Sequence, residues 1–75
     1  MTKYANLSGG AGIAAYEIGA DSIAIKFNSG ETYLYNYASA GRENIERMKS
    51  LAAAGRGLTT FISQVVKMGY DRKLR

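Results

Sequence analysis

Two groups of residues in this chain carry recognisable binding chemistry. Tyr33, Tyr35 and Tyr37 recur at every second position, and Arg56, Lys67, Arg72 and Lys73 follow in the last third. Rings so spaced could stack on exposed bases, and the cations could neutralise phosphates. Reaction chemistry has much less to work with. The chain has no His and no Cys, so the commonest general base, the best thiol nucleophile and the usual zinc ligands are missing. Its six acids are scattered. Glu43 and Glu46 lie one turn apart, but each has an arginine four residues away, Glu43 with Arg47 and Glu46 with Arg42, as in solvated ion pairs. No carboxylate cluster of the kind a metal needs is visible. The expectation is a protein without catalytic residues, metal or cofactor, and not an enzyme.

The distribution of charge sharpens the binding reading. Up to Tyr37 two basic residues stand against three acidic ones, a net of −1, and from Ala38 onward eight stand against three, a net of +5. A basic half of this kind fits a polyanionic partner, although it also fits a solvated helical face. Apolar runs are short and broken by charge, well under the roughly 20 residues of a membrane helix. Met1-Thr2-Lys3-Tyr4 does not resemble a signal peptide. The expected location is cytoplasmic, with no membrane partner.

The elements that must position these residues centre on a hairpin. Ile23, Ile25 and Phe27 alternate with Ala24 and Lys26, and Tyr33, Tyr35 and Tyr37 alternate with Leu34 and Asn36. Such alternation on both sides of Asn28-Ser29-Gly30 predicts two strands and a turn. If Gly30 is left-handed after a type I turn, Phe27 faces Glu31, Ile25 faces Tyr33 and Ile23 faces Tyr35. A two-residue Ser29-Gly30 turn would instead place Leu34 beside Ile25. The first arrangement is favoured, and it makes Tyr33 and Tyr35 core residues, leaving Tyr37 and Tyr70 as the better stacking candidates. Ile13 to Ile18 reads as an earlier strand, joined to Ile23 by an even-length turn so that Tyr16 and Ile18 meet the isoleucines. Lys26 and Glu31 are read as guards of the sheet edges.

Ser39 is the expected cap of a helix ending near Ala54, with Ile45, Met48, Leu51 and Ala52 as its apolar stripe and Gly55 as its C-cap. Thr59 or Thr60 should cap a second, more buried helix carrying Phe61, Ile62, Val65 and Val66. Residues 1–12 read as a flexible lead-in, and their glycines lack the Lys-Ser/Thr and the following helix of a phosphate loop. The expected architecture is one α+β domain over residues 1–75. It has a three-stranded antiparallel meander over 13–37, two helices over 39–69 packed on one face, and a frayed basic tail over 70–75.

Gly30, then Tyr33-Leu34-Tyr35 after the alternating Ile23, Ile25 and Phe27, resembles the central pattern of KTSC domains. These are an appendage of some lysyl-tRNA synthetases, with free-standing bacterial and phage versions. The likeness extends over residues 13–70, with Gly55-Arg56-Gly57 at the family's helix break and Phe61-Ile62 in its last helix. The Val-Pro after the tyrosines is replaced by Ala38-Ser39, and the serine of the break is missing. The resemblance implies the fold and a suggested RNA-binding role, and supplies no catalytic residues.

From charge, exclusion and resemblance, the expected function is a small non-catalytic module that binds RNA or another polyanion. Its candidate contacts are Arg56, Lys67, Arg72, Lys73, Tyr37, Tyr35 and Tyr33. The alternative is a protein-interaction or homodimerisation module of bacterial or phage origin.

Overall fold

The computed structural model describes residues 1–7 and 12–75. The fold is α+β, an antiparallel meander with helices against one face. Five strands lie in the order of the chain: β1 (Thr2–Lys3), β2 (Ile13–Ile18), β3 (Ser22–Phe27), β4 (Thr32–Asn36) and β5 (Arg72–Lys73). The helical segments are α1 (Tyr37–Ala40), α2 (Arg42–Ala54) and α3 (Leu58–Phe61), the last running into a π-helical turn at Ile62–Val66.

The central hairpin has the favoured register. Gly30 takes φ of 95°, its N–H donates to the Phe27 carbonyl at 2.9 Å, and Phe27 N–H donates to Glu31 at 2.8 Å. Ile25 then pairs with Tyr33, and Ile23 with Tyr35. The β2–β3 connection is an even-length turn, closed by Gly19 N–H on the Ser22 carbonyl at 2.9 Å, so Ile18 pairs with Ile23 and Tyr16 with Ile25. A bulge between Ile13 and Ala15 adds one residue to β2. Because strand side chains alternate, that insertion lets Ile13 and Tyr16, an odd number apart, both point at the helices.

The sheet is wider than three strands because both termini pair. Thr2 pairs with Tyr16 and Lys3 with Ala15, and the next residue, Tyr4, is 3 % exposed. Its hydroxyl accepts the Leu58 N–H at 3.4 Å, serving one of the donors that the first turn of α3 leaves without a helical partner. The flexible lead-in expected over 1–12 is therefore corrected at its start. Residues 8–11, where most of its glycines fall, lie outside the described residues. At the other end, Asp71 N–H donates to Leu34 and Leu74 N–H to Thr32, both at 2.7 Å, so the tail is a fifth strand and not frayed. β3 is the middle strand, and Lys26 cannot guard an edge.

The helices differ from expectation at their ends. Asn36, not Ser39, is the first cap: its Oδ1 accepts the Ser39 N–H at 2.8 Å while Ser39 Oγ accepts the Asn36 N–H at 3.1 Å. This reciprocal pair closes one turn, α1, before Gly41 restarts the chain as α2. Tyr37 thus belongs to a helix and not to the meander. Gly55 ends α2 in the left-handed conformation at φ of 77°. It also sits where a Cβ would come within 2.7 Å of the Ala5 methyl, so the end of α2 and the N-terminal segment fit only around glycine. Gly57 takes the place expected of Thr59 or Thr60 as the cap of α3. In the π turn Lys67 N–H donates back to Ile62, and the wider turn buries Ile62 and Val66 while leaving Val65 50 % exposed. The core is a single cluster in which Ile23, Ile25 and Tyr35 meet Ile45, Met48, Leu58, Ile62 and Val66.

Candidate nucleic-acid interface

Each aromatic ring in the chain has an internal task. Tyr4, Tyr16 and Tyr35 are in the core, and Phe27, Tyr33, Tyr37, Phe61 and Tyr70 pack against it. Tyr33 lies between Phe27 and Tyr70, with centroid distances of 5.9 and 4.5 Å, and Tyr70 also meets Tyr35 edge-on at 6.2 Å. Tyr35 is 2 % exposed, and burial, with the nearby Tyr33 and Tyr70 phenols, pushes its hydroxyl up to about 12. A ring so enclosed offers no face to a base. Tyr37 is also occupied. Its hydroxyl donates to Glu46 Oε2 at 2.8 Å, and the Arg42 and Lys49 side chains lie 5.9 and 5.7 Å from its ring centre. The hydrogen bond to Glu46 raises the phenol, and Lys49 followed by Tyr37 lowers the Glu46 carboxyl. Glu46 is paired with Lys49 at 2.9 Å, not with Arg42 as its spacing predicts.

The four basic candidates do not form one patch. Arg72 and Lys73 lie in β5 at one edge of the sheet. Arg56 follows Gly55, whose carbonyl accepts the Leu7 N–H at 2.6 Å beside the segment that leaves β1. Four strand spacings separate those edges, about 19 Å. Lys67 is in the helical layer, exposed, just after the π turn. Partners also differ. Arg72 holds Asp71 at 2.8 Å and Lys73 holds Glu31 at 2.9 Å. The bond to Lys73 lowers the Glu31 carboxyl and raises the Lys73 ammonium in return. Arg56 and Lys67 make no ion pair among the described residues.

A different set of cations comes together on the open side of the sheet. Residues directly opposite in antiparallel strands share a face. The pairs Lys3 with Ala15, Ala15 with Lys26, and Lys26 with Thr32 therefore form one row across β1 to β4, turned away from the helices. A second row joins Glu17, Ala24, Leu34 and Arg72. Neither row contributes to the core cluster. A groove of about 600 Å³ crosses this face, lined by Met1, Ala15, Lys26, Thr32, Leu74 and Arg75 among others. The acid on this face, Glu17, is 4.0 Å from the terminal ammonium. Period-two alternation in Thr2-Lys3-Tyr4 and Ile25-Lys26-Phe27 carries the signal for these lysines. It becomes legible only once the terminal strands are known to pair.

Among the described residues no three His, Cys, Asp or Glu side chains come together as metal ligands. No helix in them is long and apolar enough to cross a membrane. Comparison with known families, with curated proteins and with solved structures finds no match.

Proposed function

We propose that this chain is a small non-catalytic module that binds nucleic acid, RNA first, through its cations and the phosphate backbone. The observation that carries the proposal is the segregation of the sheet: Lys3, Lys26 and Arg72 share the open face while every aromatic ring packs on the core side. Charge without stacking surface favours phosphates over bases. The basic balance of the C-terminal half supports the same reading, as does the resemblance of Gly30, Tyr33 and Tyr35 to KTSC domains, a kinship that stands here as a proposal. Arg56 and Lys67, exposed on the helical side, form a separate group of cations that would add to long-range attraction. Self-association through a sheet edge is the less favoured reading, because each edge strand is two residues long and carries a charged side chain, the usual means of preventing such pairing.

The test is binding of a transfer-RNA pool, followed by fluorescence anisotropy at 0.05 and 0.3 M salt. Three phosphate contacts give a logarithmic salt slope near −2.7, so affinity should fall roughly a hundredfold across that range. Replacing Lys3 and Lys26 together by Gln should remove about two units of slope. Absence of binding at 0.05 M salt, or affinity indifferent to salt, would overturn the proposal.

A further inference from the structure

We infer that the groove across the open sheet face receives the phosphate rows of base-paired RNA, not a single strand. This rests on the nucleic-acid reading above and specifies its ligand. Proteins that hold single strands without regard to sequence gain about 1–3 kcal/mol per base from aromatic stacking. Among the described residues this groove has no aromatic lining, and the rings of this chain are held in or against the core on the other side. A single strand bound here would leave its bases unstacked on Ala15, Thr32 and Leu74. A duplex has its bases stacked already and presents backbone and groove edges, so it loses nothing by the lack of rings.

The shape of the face agrees with that ligand. A-form RNA has a wide, shallow minor groove flanked by phosphates, and proteins read it by shape and backbone contacts. The sheet offers a low floor of Ala15, Ala24 and Thr32 between cationic margins. Lys3 stands at the β1 side, Arg72 and Arg75 at the β5 side and Lys26 between them, while the one carboxylate described on this face, Glu17, is 4.0 Å from the terminal ammonium. The margins are about 19 Å apart, four strand spacings. Ala24 and Thr32 are 7 % and 4 % exposed, so the floor between the cations is closely packed.

The experiment compares a blunt 20-base-pair RNA duplex with an unstructured 20-nucleotide oligouridine at 0.05 M salt, by anisotropy and by amide chemical shifts. Tenfold or tighter preference for the duplex, with shifts on Ala15, Lys26, Thr32 and Leu74, is the expected result. Lys26→Gln should weaken duplex binding three- to tenfold, and Arg47→Gln, on α2, less than twofold. Both are exposed positions, and circular dichroism confirms that the variants are folded. Equal or tighter binding of oligouridine, or shifts confined to the helices, overturns the duplex inference while leaving salt-sensitive nucleic-acid binding intact. Binding of neither RNA overturns both.

Discussion

Ile25 and Lys26 are neighbours in the middle strand, one fully buried and the other exposed. The same contrast runs across the whole sheet. The side facing the helices carries Ile13, Tyr16, Ile23, Ile25 and Tyr35 in one apolar cluster, whereas the open side carries Ala15, Ala24, Thr32 and Leu34 among the charged Lys3, Glu17, Lys26 and Arg72. The two faces divide the work of a chain too short to spare core residues. One face holds the fold together with every large ring available, and the other carries charge. A platform of tyrosines would have to take its rings from the core, at a cost a 75-residue domain can hardly bear.

The largest effects should come from the helix-facing side. Ile25→Ala is expected to cost about 3–4 kcal/mol, as for other large-to-small changes in a tight core, whereas Leu34→Ala on the open face should cost about 1 kcal/mol. Urea unfolding of both variants measures the difference, and equal losses would mean that the open face is structural after all.

Alkaline pH tests the same division through Tyr35. Its folded-state hydroxyl at about 12 lies above the ordinary value of 10. The unfolded chain therefore releases that proton first, and the contribution of the neutral phenol is complete below pH 10 and lost as pH rises toward 12. The loss amounts to about 2–3 kcal/mol for a shift of this size. Tyr35→Phe should remove that part of the decline, seen as a flatter dependence of the urea midpoint on pH.

Substitution of Lys3 and Lys26 by Gln should change stability by less than about 0.5 kcal/mol, as is usual for surface positions. A larger loss would show that these side chains support the sheet. The smallest effect belongs to the β5 edge. Glu31 titrates below the ordinary value of 4.5 because Lys73 holds it, so the pair helps above that value and is lost as pH falls through the lowered one. Lys73→Met should move the Glu31 carboxyl resonance back to an ordinary titration, with little change in melting temperature because both groups are in solvent.

The local elements were legible in the chain itself. Alternation in Ile23-Ala24-Ile25-Lys26-Phe27 and in Tyr33-Leu34-Tyr35, with Gly30 between, is sufficient for the hairpin and its register, since a slip of one residue would turn every apolar side chain outward. The stripe of Ile45, Met48 and Ala52 and the left-handed Gly55 likewise follow from helical spacing and the tolerance of glycine. Less legible were the ends. Thr2–Lys3 and Arg72–Lys73 are too short and polar to announce strands, and they become strands only because β2 and β4 present unpaired backbone groups beside them. The cap at Asn36 is local, a reciprocal pair with Ser39, but the period-two pattern running through Tyr37 masks it.

The candidate site divides in the same way. Sequence alone determined that the chain is basic, has no His or Cys and contains rings that a hairpin would turn to one side. Only the tertiary structure decided that those rings are all used internally, that Arg56 lies beside the N-terminal segment while Arg72 and Lys73 pair with β4, and that Lys3 and Lys26 share a face. Charge and periodicity are local properties of a chain, but which cations meet depends on strand pairing between residues far apart in it, and a two-residue strand leaves almost no trace in the pattern of its own side chains.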